Sequence, residues 1–207
     1  MWLFIAIAVV AGYLLGNLNG AVVASKALGD DVRTHGSGNA GLTNFIRNYG
    51  VGSALYVVLI DAGKAILACL TSGLIMGQFD LYQEGLVLGG LCVMLGHMFP
   101  ALLGFKGGKG ILSGWFVAWV VDWRIGLIIV LVFAAAYLLS QYVSLGSVLA
   151  AATFGICFAV FHHDNLFVMI GGVVMGTLAV FMHRGNIVRL VKGQERKTNL
   201  FAKKNKE

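Results

Sequence analysis

The chain carries little charge and few cysteines for its length. Charged residues make up 12% of its 207 positions and hydrophobic residues 58%, whereas soluble domains carry about 25% charged and about 45–50% apolar residues. So few charges cannot cover a water-soluble globule of this size, which excludes a soluble enzyme and a disordered chain. The three cysteines lie inside apolar runs without metal-ligand spacing, so we expect reduced thiols rather than a disulfide scaffold: Cys69, Cys92 and Cys157.

Proline is almost missing, while glycine is abundant. One residue is proline and 29 of 207 are glycine, roughly twice the usual glycine share of about 7%, which suits close-packed membrane helices. Residues 1–25 contain no Asp, Glu, Lys or Arg, and about 20 apolar residues cross a bilayer as a helix. Because no basic residue precedes this run, we expect a retained membrane anchor rather than a signal peptide.

Apolar runs separated by short polar stretches predict an all-α, polytopic integral membrane protein with about seven transmembrane helices. The uncharged run 125–161 is too long for one span, and its polar interruption around 140–147 places a turn there. The fourth run, 111–121, is too short to cross a core of about 30 Å unless polar loops dip inward. We expect one domain, 1–207, with spans near 1–25, 51–77, 85–104, 111–121, 125–140, 144–161 and 166–182.

Basic residues are concentrated on one side of this predicted bundle. With loops alternating between two sides, 13 of the 15 Lys and Arg residues fall on the side of the C-terminus, and Arg124 alone falls on the other. Cytoplasmic loops carry such an excess, so we expect the N-terminus outside and the C-terminus in the cytoplasm. A tail rich in basic residues is typical of a flank facing anionic lipid rather than nucleic acid: Arg184, Arg189, Lys192, Arg196, Lys197, Lys203, Lys204 and Lys206.

Three polar segments lie on the predicted cytoplasmic side, and the first runs from His35 to Asn44 and closes with Arg47. Its glycines allow backbone N–H groups to converge on an anion, and an arginine can grip an oxyanion with two parallel hydrogen bonds. The segment matches G-x-G-x-x-G, but no strand precedes it, so a dinucleotide-binding fold is not expected. A glycine-rich loop that caps a helix is the alternative interpretation.

The second segment joins His97 to a glycine loop that holds Lys106 and Lys109. It fails the Walker A pattern. Two lysines in a glycine loop before an apolar span nevertheless suit phosphate, although they could equally extend to lipid headgroups. His97, near the end of a span, could also be a hydrogen-bonded packing residue.

In the third segment, His183, Asn186 and Arg189 recur at intervals of three and so share one face of a helix. That face would carry an imidazole, an amide and a guanidinium group. A basic flank that stops membrane insertion is the alternative, although such a flank would not require His and Asn on the arginine face.

Other polar residues lie within or beyond the spans. Asp61 and Lys64 are one helical turn apart inside a span, and we expect them to pair, in either a structural or a site-supporting role. His162 and His163 fall on the opposite face of the membrane, where we expect ordinary loop residues.

Together, the motifs G-S-G-N-x-G-x-T-N, G-H-x-F-P…F-K-G-G-K-G and H-R-x-N-I-x-R-L-x-x-G-x-E-x-K resemble those of the bacterial acyl-phosphate:glycerol-3-phosphate acyltransferases, the PlsY family. The resemblance covers essentially the whole chain, with the motifs in the family's order and on one predicted side. Departures from the family pattern are mild: they concern Leu42, Ala65 and residues 111–113, where Ser113 keeps a hydroxyl.

The resemblance implies a reaction. A fatty acyl phosphate would give its acyl group to the 1-hydroxyl of glycerol 3-phosphate, which yields lysophosphatidate and phosphate for phospholipid synthesis. The active site would lie at the cytoplasmic face of the bacterial inner membrane. The resemblance implies no metal or other cofactor and no donor bound to coenzyme A or acyl carrier protein. Membrane lipid is the other expected partner, and nucleic acid is not one.

The resemblance also implies site residues, because both substrates carry phosphate and need separate anion sites. The predicted catalytic residues are His97, Lys106 and Asn186. The acyl phosphate would be held by Ser37, Gly38, Asn39, Thr43, Gly107, Gly108 and a lysine. Glycerol 3-phosphate would be held by Arg47, Lys106 or Lys109, His183 and Asn186, with Ser144 or Ser147 at its hydroxyls. Asn44 and Arg189 complete the predicted substrate-binding residues.

An acyl phosphate is already activated, so positioning and charge neutralisation would carry most of the catalysis. The proton acceptor stays open: His97 is either the acceptor or an orienting donor, and a substrate phosphate oxygen could take the proton. No histidine begins an H-x-x-x-x-D motif, which excludes the Asp–His mechanism in its usual form. No Ser-His-Asp arrangement favours covalent catalysis.

Two other classes of function compete with this interpretation. A small transporter of phosphorylated metabolites would also need cationic residues near the membrane, and it predicts polar groups along the spans and weak inverted repeats. A non-catalytic membrane assembly subunit would not require three clusters of phosphate-type donors.

Overall fold

A computed structural model of the chain describes residues 1–198, and the last three basic residues of the predicted tail lie outside that range: Lys203, Lys204 and Lys206. The described residues form ten α-helices and two single-turn 3-10 helices, without a strand. The α-helices are α1 (Trp2–Asn17), α2 (Gly20–Ala27), α3 (Leu42–Tyr49), α4 (Ala54–Gly77), α5 (Tyr82–Met98), α6 (Ile111–Val121), α7 (Trp123–Ser140), α8 (Val143–Phe161), α9 (Leu166–Met182) and α10 (Arg184–Val191).

Four of these helices are by themselves long and apolar enough to cross a membrane: α4, α5 with its following turn, α7 and α8. Two bent pairs also qualify, α1 with α2 at 42° and α9 with α10 at 55°, so the described chain holds four to six candidate spans. This confirms the predicted all-helical, multi-pass membrane fold. The predicted count of seven spans depends on α6, whose 11 residues leave it among the shorter apolar helices, and it stays a prediction.

Helix α5 lies at the centre of the bundle, where it packs against α1, α4, α6 and α9. Its glycines allow these close approaches. A Cβ atom on Gly85 would lie 2.6 Å from the Ser72 carbonyl oxygen of α4, and one on Gly96 would strike the Tyr13 carbonyl of α1. Lipid tails are as apolar as the helix surfaces, so the hydrophobic effect does not drive membrane helices together. Small residues stabilise their association instead, because they allow the backbones to approach closely.

The first predicted span, 1–25, is not one continuous helix, because the chain breaks at Leu18 and Asn19. A break inside a membrane frees backbone groups that must find partners. Here the Lys64 ammonium group donates to the Leu18 carbonyl at 2.7 Å, and the Gly20 amide donates to Asp61 Oδ1 at 3.1 Å. Two side chains of α4 therefore provide hydrogen-bond partners for backbone groups that the break leaves free.

The expected pairing of Asp61 with Lys64 is confirmed. Lys64 Nζ lies 2.7 Å from Asp61 Oδ1, and both side chains are 2% exposed. Asn19 adds a helix cap by accepting a hydrogen bond from the Val22 amide, and its own amide donates to the Ala40 carbonyl at 3.0 Å. The broken first span is thereby attached to the loop that precedes α3.

Candidate active site

The first polar segment forms a compact loop around Asn44, which is 3% exposed. The Asn44 side-chain amide donates to the carbonyls of Val32, His35 and Asn39 at 3.0–3.1 Å. Its Oδ1 accepts from the Ser37 amide at 3.1 Å. Gly38 has φ = 70°, a left-handed conformation that glycine adopts without cost. Asn44 therefore shapes the loop from within, while Ser37 is exposed at its surface.

The glycine loop that holds Lys106 and Lys109, here called the lysine loop, packs on the end of α5. The Gly108 amide donates to the His97 carbonyl at 3.0 Å. A Cβ atom on Gly108 would collide with His97 Nε2 and lie 2.7 Å from the Ala40 carbonyl, so only glycine fits between α5 and the first loop. Lys109 points across the site, and its ammonium group donates to Asn186 Oδ1.

The third segment turns at His183 and begins α10. His183 is 3% exposed, and its Nδ1 lies 2.8 Å from the Ala179 carbonyl, a geometry that requires a proton on Nδ1. Asn186 donates to Glu195 Oε1 at 2.9 Å, and Arg189 donates to Glu195 Oε2 at 2.7 Å. The predicted shared face of His183, Asn186 and Arg189 is therefore formed, and Glu195 bridges its last two members.

These segments surround one cavity of about 880 Å³, within the range of about 300–1,000 Å³ typical of ligand sites. Its rim is polar, and Ser144 and Ser147 at the start of α8 belong to it. Its deeper walls are apolar, lined by side chains of α5 to α9 that include Met94, Trp115, Ile129, Phe133, Phe154 and Met175. The cavity therefore combines an anion-binding rim with walls suited to a hydrocarbon chain.

The structure brings most of the predicted site residues to this cavity: Ser37, Gly38, Asn39, Thr43, Asn44, Arg47, His97, Gly107, Lys109, Ser144, Ser147, His183, Asn186 and Arg189. Two predicted residues do not line it. Gly108 is buried beneath the rim against His97, and Lys106 is exposed on the outer side of the loop. The two lysines, which the sequence does not distinguish, thus differ in position.

Sequence reasoning missed the contribution of residues 194–198, which form no helix. Glu195 lines the cavity, and the only signal for it was the glutamate of the third motif. The side chain of Arg47 donates to the Thr198 hydroxyl through two nitrogens. This segment therefore holds several cationic and amide groups of the rim in place.

The charges of the rim act on one another. Burial, together with the nearby positive charges of Arg189 and Arg47, lowers the pKa of Lys109 to about 8. Partial burial opposes ionisation of Glu195, but hydrogen bonds from Arg189 and Asn186 outweigh it and lower the pKa of that carboxyl group. The rim thus places one carboxylate among several cations, an arrangement that favours anionic ligands.

The opposite end of the bundle holds a different cluster. Arg124 pairs with Asp122 at 2.6 Å, and His162 Nε2 lies 3.4 Å from the same carboxylate. His163 is exposed. The described residues include no group of three or more His, Cys, Asp or Glu side chains that could hold a metal ion.

The chain is similar to known proteins over most of its length. A family model described as glycerol-3-phosphate acyltransferase matches residues 6–193. The chain is 35% identical over 196 residues to the glycerol-3-phosphate acyltransferase of Thermoanaerobacter sp. (strain X514), which covers 94% of this chain and 96% of the relative. It is 36% identical over 198 residues to that of Finegoldia magna (strain ATCC 29328 / DSM 20472 / WAL 2508), covering 95% and 97%.

Two solved structures share the fold. A crystal structure of PlsY, an integral membrane glycerol 3-phosphate acyltransferase, in its glycerol 3-phosphate form superposes with a TM-score of 0.85 at 33% identity, covering 94% of this chain and 96% of that one. The lysophosphatidic acid form gives 0.82 at 32% identity, covering 95% and 96%. The resemblance seen in the motifs is thereby confirmed, and the chain belongs to the glycerol-3-phosphate acyltransferase family.

Proposed function

We propose that this protein transfers a fatty acyl group from an acyl phosphate to the 1-hydroxyl of glycerol 3-phosphate, releasing lysophosphatidate and phosphate. The observation that carries the proposal is a shared cavity to which three distant segments supply phosphate-type donors beside an apolar wall. The forms in which the related PlsY structures are described, with glycerol 3-phosphate and lysophosphatidic acid, support the acceptor and the product.

Two groups of donors match the two phosphates. The first loop and the lysine loop would hold the acyl phosphate, through Ser37, Gly38, Asn39, Thr43, Gly107 and the backbone near Gly108. The opposite side of the rim would hold glycerol 3-phosphate, through Arg47, Lys109, His183, Asn186 and Arg189, with Ser144 or Ser147 at its hydroxyls. A positively charged rim would draw both anions toward the cavity.

The reaction needs little covalent help from the protein. The hydroxyl oxygen attacks the acyl carbonyl carbon, the bond from that carbon to the phosphate oxygen breaks, and phosphate leaves. The hydroxyl proton passes to an acceptor, for which His97 and a substrate phosphate oxygen are the candidates. The rim would hold the two substrates in reacting orientation and neutralise the departing phosphate.

Of the two lysines, we assign the phosphate contact to Lys109, which lines the cavity and reaches Asn186. The catalytic role predicted for Lys106 finds no support in its exposed position. An exposed lysine on this loop is well placed for lipid headgroups.

An assay with defined substrates tests the proposed function. Purified protein in detergent is mixed with palmitoyl phosphate and glycerol 3-phosphate, and phosphate release and lysophosphatidate formation are followed together. We expect both products only when both substrates are present. Release from palmitoyl phosphate alone would indicate a hydrolase, and equal activity with palmitoyl coenzyme A would contradict the proposed donor.

We further propose that the cavity rim faces the cytoplasm, with the N-terminus outside, because 13 of the 15 Lys and Arg residues fall on that side. Single cysteines at Lys192 and Asp164, both exposed and at opposite ends of the bundle, test this orientation. The native cysteines are buried and leave a low background. A membrane-impermeant maleimide should label Asp164→Cys in intact cells and Lys192→Cys only after the cells are opened; the reverse pattern would invert the proposed topology.

A further inference from the structure

The turn between α5 and the lysine loop exposes large apolar side chains. Leu102 is 75% exposed and Phe105 is 64% exposed, and Lys106, the next residue, is exposed as well. Residues 102–106 are called the tip below. Phe105 has φ = 59°, a left-handed conformation that a bulky side chain rarely adopts. Such a conformation persists only where the surrounding structure holds it, so the fold itself keeps this ring exposed.

Hydrogen bonds from α1 hold the start of the tip. The Tyr13 hydroxyl accepts from the Ala101 amide at 3.2 Å. Asn17 Oδ1 accepts from the Leu102 amide at 3.0 Å, and Asn17 is itself buried. Both partners lie near the end of α1, so the tip is fixed to the first span.

The point of attachment gives the depth of the tip in the membrane. Asn17 is the last residue of α1, and the first span continues beyond it through α2, because the two helices together qualify as one bent span. The 8 residues of α2 add up to about 12 Å at 1.5 Å per residue. The tip is therefore attached at the break in this span and not at its end. Leu18, at the same break, is 50% exposed and adds apolar surface at that level.

We propose that the tip is a lipid-docking site, which inserts into the membrane leaflet on the side of the cavity and binds an anionic phospholipid. Leu102 and Phe105 contact the hydrocarbon, which removes their apolar surface from water. Lys106 extends its ammonium group to the lipid phosphate. Charge supports this partner, since residues 85–121 contain no Asp or Glu that would compete for Lys106 from its own segment.

Docking connects the membrane to the cavity. Lys106 precedes Lys109 by three residues, and between them the Gly108 amide is bonded to the His97 carbonyl at 3.0 Å. The lysine loop is thus held by α5 at its inner end and by lipid at its outer end. A lipid bound at the tip keeps Lys109 directed toward the rim.

The depth of two labelled positions tests the insertion. The full-length protein carries a nitroxide at Leu102→Cys or Phe105→Cys in lipid nanodiscs, and the native cysteines are buried. Electron paramagnetic resonance compares the access of oxygen, which concentrates in hydrocarbon, with that of a water-soluble nickel complex. Leu131→Cys, 58% exposed on the span α7, gives the lipid reference, and Asp164→Cys, exposed in the opposite turn, gives the water reference.

We expect both tip labels to resemble Leu131→Cys, with oxygen access above nickel access. Either label decides the test if the other variant does not fold. Labels as accessible to nickel as Asp164→Cys would overturn the insertion and would leave a soluble partner protein as the occupant of the tip.

A second measurement tests the phosphate contact of Lys106. A bimane dye at Leu102→Cys reports quenching by a small fraction of spin-labelled phosphatidylglycerol or phosphatidylcholine in nanodiscs of phosphatidylcholine. We expect phosphatidylglycerol to quench at about fivefold lower fraction, the weight of one lysine at an anionic surface. Lys106→Met should abolish this difference and Lys106→Arg should keep it. Lys26→Met removes an exposed charge from α2 and should keep it as well.

Equal quenching by the two lipids in the protein with Lys106, or a preference for phosphatidylglycerol that survives Lys106→Met, would overturn the phosphate contact. Neither measurement uses turnover, so its outcome is independent of the proposed acyl transfer.

Discussion

Replacing Lys109 with methionine should lower kcat/KM for glycerol 3-phosphate by about 10²–10³, the loss seen when one preorganised donor to a developing charge is removed. Lys109 lines the cavity and donates a hydrogen bond to Asn186, and the positive charges of Arg189 and Arg47 lie nearby. Methionine keeps the length and apolar volume of the stem, so the change isolates the charge. Initial rates of lysophosphatidate formation at several concentrations of glycerol 3-phosphate give kcat/KM for each variant.

Two other lysines provide matched comparisons. Lys192→Met removes an exposed charge just beyond α10 and should leave kcat/KM unchanged. Lys106→Met alters the same loop as Lys109, but on its exposed side, and should cost less than about tenfold, the equivalent of about 1.4 kcal/mol. A larger loss at Lys106 than at Lys109 would reverse our assignment of the phosphate contact.

The pH dependence of kcat/KM should follow from the ionisation of Lys109. Burial and the charges of Arg189 and Arg47 lower the pKa of Lys109 to about 8. Its positive charge is therefore present in the free enzyme below that pH and lost above it. Because kcat/KM reports ionisations of the free enzyme, it should fall about tenfold per pH unit on the alkaline side. Lys109→Arg keeps the charge, so an unchanged alkaline limb in that variant would show that another group is responsible.

The second large effect concerns stability. Lys64→Met should lower the free energy of unfolding by about 3–5 kcal/mol, because removing one partner of a buried ion pair leaves the other charge unpaired. Here the group left behind is Asp61, which is 1% exposed, and the carbonyl of Leu18 also loses its donor. Denaturant titration in mixed detergent micelles measures the change.

A double variant separates the unpaired charge from the lost contacts. Asp61→Asn in the Lys64→Met background removes the buried carboxylate while its amide oxygen can still accept from Gly20. We expect at least half of the lost stability to return. A double variant no more stable than Lys64→Met would mean that the freed backbone groups, rather than the charge, cause the loss. Lys26→Met, at an exposed position, serves as the control.

Much of the fold was predictable because apolar length and charge placement act locally. The helix ends at Gly77, Val121, Ser140 and Met182 coincide with the predicted ends of spans. The break at Leu18 and Asn19 was not predictable, because the run 1–25 has no charge to mark it. Its partners, Asp61 and Lys64, lie some 40 residues away, where hydropathy shows only a polar interruption.

The rim of the site was predictable in composition but not in detail. Glycines, lysines and the shared face of His183, Asn186 and Arg189 are visible in the sequence. The hydrogen-bond partners of these residues are not visible in the sequence. Asn44 was predicted to bind substrate, yet its side-chain amide donates to three carbonyls of the first loop and shapes it. Glu195 bridges Asn186 and Arg189 only because the chain turns back after α10.

One cavity, built from three distant segments, should bind the phosphate of glycerol 3-phosphate. A crystal structure of this protein with glycerol 3-phosphate bound would show where that phosphate lies. We expect the phosphate within hydrogen-bond distance of Arg47 and Lys109, with the glycerol beside Asn186. A phosphate bound outside the cavity, with Arg47 still on Thr198 and Lys109 still on Asn186, would contradict it.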